Sequence, residues 1–173
     1  MMKLPKDFLK GSIPPLITPF RKGEIDYDAY AGLVEFQVKN GSHGILVNGT
    51  TSEPASLTVE ERNRIVDVET QALSAHAEKA GADALLIVTP YYTRPPQRGL
   101  VEYYKLLGKQ TSLPWMIYHI PGRAAVSVTL DTLQQISAAC PNFVGMKHAV
   151  DDLGFASTCL EHFGMDFRIF VGL

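Results

Sequence analysis

Phe143-Val144-Gly145-Met146-Lys147 reads as a strand that is apolar along its length and ends in a single cation. A strand with one face in water would alternate apolar and polar residues. An unbroken apolar run instead belongs to a parallel sheet covered on both faces. Working upstream, Thr129 is a good N-cap for a helix from Leu130 to Ala139, and Trp115–Tyr118 is a second apolar strand. Gly99 to Gln110 has helical period, Leu85–Thr89 is another strand, and Pro90–Gln97 is the loop between them. Thr58 and Glu61 form a capping box that opens a helix running to about Lys79, with Gly81 ending it. Gly44–Asn48 is a continuous apolar strand, and Gly49–Pro54 is the loop after it. Asp26 precedes a helix from Tyr27 to Lys39, with Tyr30, Leu33, Val34 and Val38 at helical spacing and Asn40-Gly41 as its stop. Ile13–Thr18 is a short run in which Pro14 and Pro15 suit the start of a strand. Downstream, Leu153 to His162 reads as helix and Arg168–Val171 as strand. Strands alternating with helices predict a parallel α/β sheet.

The chain has 173 residues, 46% hydrophobic and 20% charged, which predicts one ordinary globular domain over residues 1–173. A net charge of -2, with no block of like charges, offers no basic field to nucleic acid or anionic lipid. No apolar run reaches the roughly 18–20 residues of a membrane span. Met1 to Lys10 lacks the apolar core of a signal peptide, so a cytoplasmic protein is expected. Cys140 and Cys159 match no C-x-x-C pattern and read as reduced thiols near a core. No G-x-G-x-x-G follows the first strand, and no G-x-S-x-G is present.

In parallel α/β folds ligands bind at the carboxyl ends of the strands. The residues there are Gly49-Thr50-Thr51-Ser52-Glu53, Thr89-Pro90-Tyr91-Tyr92, Tyr118-His119-Ile120-Pro121-Gly122-Arg123 and Gly145-Met146-Lys147. An amine at the end of an apolar strand is drawn by desolvation toward its neutral form, which attacks ketones to give an imine. Taken alone, Lys147 is more often an ordinary lysine where a strand meets water. Thr50 and Thr51 offer two hydroxyls and consecutive N–H groups, which suit a carboxylate; a structural loop threonine is the commoner reading. Tyr118 could pass a proton, or be a core tyrosine with a satisfied hydroxyl. Arg123 could fork onto a carboxylate, or be a solvated loop residue. Tyr91 and Tyr92 suit interface packing equally well. His119 and His148 each follow a candidate residue, but no spacing resembles a metal set, so a metal-free site is expected.

Five stretches occurring in order carry more than their parts: Ile13–Phe20 (IPPLITPF), Gly49–Glu53 (GTTSE), Val88–Pro95 (VTPYYTRP), Tyr118–Arg123 (YHIPGR) and Val144–Lys147 (VGMK). Together they resemble the dihydrodipicolinate synthase / N-acetylneuraminate lyase family, pyruvate-dependent class I aldolases built on a (β/α)8 TIM barrel. The resemblance runs from about Ile13 to Gly172 and is nearest to the synthase branch. It implies that Lys147 forms a Schiff base with pyruvate and that Tyr118 relays protons. It implies that Thr50 bridges Tyr118 to Tyr92, which reaches across a dimer interface, and that Thr50 and Thr51 hold the pyruvate carboxylate. Arg123 matches the arginine that binds the carboxylate of aspartate semialdehyde. The expected activity is therefore that of a lyase of lysine biosynthesis, with no cofactor, acting as a homodimer or homotetramer. Ser52, His119 and His148-Ala149 depart from the residues common there, which keeps open another aldolase acting on a sugar acid or 2-oxo acid. A (β/α)8 barrel typically needs about 250 residues. The sequence supplies strands near Ile13, Ile45, Leu85, Trp115, Phe143 and Arg168, so the third and eighth strands and the C-terminal helices are expected to be missing. The join near Val68–Gln71 reads as two helix pieces abutted. A catalytically inactive fragment is the remaining alternative.

Overall fold

The computed structural model describes residues 2–74 and 82–172. It divides into two compact units, Asp7–Gly81 and Ala82–Leu173, the latter including Met1–Lys6.

In the unit Asp7–Gly81, β1 (Phe20–Arg21) and β2 (Glu24–Ile25) form an antiparallel hairpin that the sequence reading did not anticipate. Its two turn residues, Lys22 and Gly23, have φ of 53° and 88°. Left-handed conformation at both central positions matches the twist of a tight hairpin, and Gly23 adopts it at no steric cost. Asp26 then caps α1 (Tyr27–Lys39), its carboxylate accepting from the Ala29 N–H at 3.0 Å and from Arg21 Nε at 2.6 Å. The Ala29 bond first, then Arg21, hold the Asp26 carboxyl below its usual range. The capping box before α2 (Val59–Ser74) is formed: the Thr58 N–H donates to Glu61 Oε2 at 2.8 Å and the Glu61 N–H to Thr58 Oγ1 at 3.2 Å. The expected continuation to Lys79 lies outside the described residues. Tyr30 and Val34 of α1 bury against Ile65 of α2, with Leu16, Ile25 and Leu57 completing this core.

Residues 13–18 and 44–48, both expected as strands, meet in only one parallel bridge, Pro15 with Leu46. The Leu46 N–H donates to the Pro14 carbonyl at 3.0 Å and the Leu16 N–H to the Leu46 carbonyl at 3.4 Å. Pro14 has no N–H to give to the Gly44 carbonyl, so the ladder stops on that side. At the other end Asn48 turns left-handed, with φ of 52°.

The unit Ala82–Leu173 holds a four-stranded parallel sheet: β3 (Leu85–Val88), β4 (Trp115–His119), β5 (Phe143–His148) and β6 (Arg168–Val171), in that spatial order. The crossovers contain α3 (Gln97–Gly108), a short α4 (Pro121–Ala124), α5 (Leu130–Ala139) and α6 (Leu153–Phe163). Thr129 caps α5 as expected, its hydroxyl accepting from the Thr132 N–H. Pro121-Gly122-Arg123 opens the single helical turn α4.

One irregularity sets which residues face which way. Trp115 pairs with Phe143 but Met116 pairs with Gly145, so Val144 is an extra residue in β5. After this bulge, Ile117 and His119 share a face with Met146 and His148, and Tyr118 shares the other with Gly145 and Lys147. The first face is the packed one. Trp115, Ile117, Phe143 and Met146 are buried there with Leu100 and Tyr104 of α3 and Leu133 and Ile136 of α5. The Tyr104 and Trp115 rings stack with centroids 5.6 Å apart. Both cysteines are free and belong to this core. Among the described residues no helix is long and apolar enough to cross a membrane.

Candidate active site

Lys147 and Tyr118 occupy equivalent places, each the next-to-last residue of its strand, and they are register partners across β4 and β5. Lys147 Nζ lies 4.5 Å from the centroid of the Tyr118 ring. Both side chains are partly buried. Gly172, just past β6, completes the surroundings of the amine. A Cβ at Gly172 would stand 2.7 Å from Lys147 Cε and 3.4 Å from Nζ, so the missing side chain is the space the lysine occupies. Gly145, two residues before Lys147 and on the same face, has the same character toward the backbone. A Cβ there would overlap the Arg168 carbonyl oxygen and sit 2.9 Å from Arg168 Cα. The two glycines let β5, β6 and the lysine approach one another closely.

At the end of β3, Thr89 is fully buried, its N–H donating to the Tyr118 carbonyl at 3.4 Å; it follows Val88, the register partner of Tyr118, so its side chain belongs to the His119 face and not to that of Lys147. Its Oγ1 has no hydrogen-bond partner among the described residues. Gly172 carries no sequence signal of its role beside Lys147.

No hydrogen bond or ring contact among the described residues joins Arg123 or Tyr92 to the lysine–tyrosine pair. Arg123 lies in α4, five residues after Tyr118, with its backbone N–H on the Ile120 carbonyl at 3.0 Å and its side chain exposed. Tyr92 follows β3 with φ of 70° and is 92% exposed, so nothing described in this unit covers its ring. Thr50 and Thr51 belong to the other unit. They open a 3-10 turn, Thr50–Ser52, and are exposed. The first N–H groups of such a turn have no partner within it and are free to meet an anion. Buried Ser52 fixes this turn: its Oγ donates to the Gly49 carbonyl at 2.7 Å, and its own carbonyl accepts from Thr18 Oγ1 at 2.8 Å. The serine that departs from the family's usual residue is therefore the internal brace of this turn.

Such an arrangement can do imine chemistry: an amine, a phenol beside it, and a strand-end setting that excludes water from one side. Comparison with known proteins points the same way. The chain matches the model of the dihydrodipicolinate synthetase family over residues 8–72 and 68–173. It is 39% identical to the 4-hydroxy-tetrahydrodipicolinate synthase of Thermus thermophilus, over 95% of this chain and 62% of that one. The crystal structure of dihydrodipicolinate synthase from Aquifex aeolicus superposes with a TM-score of 0.86 at 36% identity, covering 94% of this chain and 62% of that one. The Acinetobacter baumannii enzyme, solved in complex with pyruvate, gives a TM-score of 0.88 at 27% identity, over 95% and 64%.

The chain thus spans less than two thirds of the length of these relatives. The two family matches meet at residues 68–72, where the sequence reads as two abutted helix pieces. The aligned length with the Thermus protein, 186 residues, exceeds the 173 of this chain, so the relative carries residues with no counterpart here. The fold class is accordingly a (β/α)8 barrel represented in part. The chain belongs to the dihydrodipicolinate synthetase family.

Proposed function

We propose that the protein is a Schiff-base lyase that joins pyruvate to aspartate semialdehyde, a 4-hydroxy-tetrahydrodipicolinate synthase. The observation that carries this is the Lys147 amine held 4.5 Å from the Tyr118 ring centroid on paired strand ends. In this reading the amine adds to the pyruvate ketone and water leaves, giving an imine. Loss of a methyl proton turns the imine into an enamine, whose carbon attacks the aldehyde. Tyr118 carries protons to and from these intermediates. Thr50 and Thr51 would hold the pyruvate carboxylate, and Thr50 would link Tyr118 to Tyr92 of a second subunit. Arg123 would hold the carboxylate of the aldehyde. These last assignments rest on the family resemblance, and the exposure of Tyr92 and Arg123 is compatible with them. The same proposal includes one partial barrel domain over residues 1–173, a homodimer or homotetramer, and a cytoplasmic enzyme of lysine biosynthesis.

Borohydride reduction in the presence of pyruvate, followed by mass spectrometry, tests the reading. A stable adduct on Lys147, absent from Lys147→Ala, is expected. A folded sample that traps no pyruvate would refute it. Consumption of the enamine on adding aspartate semialdehyde, but not other aldehydes, would identify the second substrate.

A further inference from the structure

His119 and His148 directly follow Tyr118 and Lys147 and are themselves register partners. They lie on the opposite face of the sheet, where both are buried. Their Nδ1 atoms are 3.0 Å apart. His119 Nε2 is 3.2 Å from the Val128 backbone nitrogen, and His148 Nε2 is 3.1 Å from the Asp152 carbonyl oxygen.

The two ends fix the direction of this chain independently. An amide N–H only donates, so His119 Nε2 accepts and its proton sits on Nδ1. A carbonyl only accepts, so His148 Nε2 carries a proton and its Nδ1 is the acceptor. The middle bond then runs from His119 Nδ1–H to His148 Nδ1, and every ring nitrogen is satisfied with both rings neutral. An added proton at His148 Nδ1 would set two N–H groups against each other, and one at His119 Nε2 would face the Val128 N–H. The titratable groups facing His119 are His148 on β5 and Asp152 at the start of α6. Burial above all, then His148, holds the His119 imidazole down at about 4, with Asp152 opposing weakly. The His119 ring is therefore neutral at neutral pH, as the hydrogen-bonded chain requires of it. Phe155 of α6 packs against both rings, with centroids 5.8 and 5.6 Å away.

We infer that His119 and His148 are positioning residues for imine formation, their hydrogen-bonded chain tying the ends of β4 and β5 together so that Lys147 stays against Tyr118. This rests on the Schiff-base reading above. The chain anchors both strand ends to the segment before α5 and to the cap of α6, and the reacting pair sits one residue away on each strand. Misplacement of a reacting group by about an ångström costs up to roughly a hundredfold in rate, so a loosened strand end is read directly in the chemistry.

The test is the rate of borohydride-trappable imine formation with pyruvate, from pH 5 to 9, on the full chain. His119→Phe and His148→Phe keep an aromatic ring but remove the chain, and each is expected to lower the rate roughly tenfold. The double Phe variant is expected to lose no more than either single one, because the chain is already broken. His119→Asn keeps only the donor toward His148, because its amide overlays ring Nδ1 but stops short of the Nε2 that meets Val128, and is expected to restore part of the rate lost in His119→Phe. Folded variants that all react within twofold of wild type across this range would overturn the inference while leaving the Schiff base standing. A wild type that traps no pyruvate would remove both. Should a Phe variant fail to fold, the wild-type 15N ring shifts decide. Nε2-unprotonated His119 and Nε2-protonated His148 support the chain; any other tautomer pair, or a charged ring at neutral pH, overturns it.

Discussion

Gly145→Ala places one methyl group where β5 and β6 already touch. The new Cβ would overlap the Arg168 carbonyl oxygen, with the carbonyl carbon at 2.8 Å and Cα at 2.9 Å. Ordinary contacts of a Cβ begin near 3.4 Å, so at least half an ångström must be found, and more at the oxygen. All three atoms are backbone of the paired strand, and no side chain can rotate away. The strands must separate along the ladder that pairs Gly145 with Arg168, Met146 with Ile169 and Lys147 with Phe170. Overpacking typically costs about 1–3 kcal/mol, and the upper end applies where only backbone can yield. One weakened ladder bond adds about 1 kcal/mol. The expected loss is about 3–4 kcal/mol. With a urea slope of about 2 kcal/mol per molar, the midpoint falls by roughly 1.5–2 M. Imine formation on Lys147 is expected to fall at least tenfold in the fraction that remains folded, since the lysine sits two residues along the displaced strand. Equilibrium urea unfolding and a trapping time course read the two effects. A midpoint within about 0.3 M of wild type, at an unchanged slope, would refute the close approach of β5 and β6.

Gly172→Ala meets only the flexible Lys147 side chain, so it should shift stability by less than about 1 kcal/mol while slowing imine trapping roughly tenfold; equal losses in both would contradict this. Gly32→Ala, in the middle of α1 with nothing within 4 Å of the added carbon, should stabilise by about 0.5–1 kcal/mol in urea unfolding. Trp115→Ala empties a fully buried site stacked on Tyr104 and should cost about 3–5 kcal/mol, read in the same assay. His119 titrates near 6.5 when unfolded and at about 4 when folded. The unfolded chain thus binds a proton that the native one does not, and stability should fall as the pH falls from about 6.5 toward 4, by at most about 3 kcal/mol. His119→Asn should flatten that slope in thermal melts across the range.

What could be read locally was read correctly. Asp26, Thr129 and the Thr58–Glu61 box open the helices expected of them, because a cap is settled within three residues of its own position. The apolar runs of Leu85, Trp115, Phe143 and Arg168 became strands, because a buried parallel strand has no polar face to show. The hairpin at Lys22-Gly23 was overlooked, since strands of two residues leave no period to detect. Residues 13–18 and 44–48 look apolar enough to pair, yet the missing N–H of Pro14 on one side and the left-handed turn at Asn48 on the other hold them to one bridge. Strand β5 shows the same division. Its sequence determined that Phe143–Lys147 is buried and ends in an amine. Only the tertiary structure decided that an extra residue at Val144 turns Lys147 to the face of Tyr118 and His148 to the face of His119. Facing depends on register, and register belongs to two strands at once, so no single stretch of chain contains it.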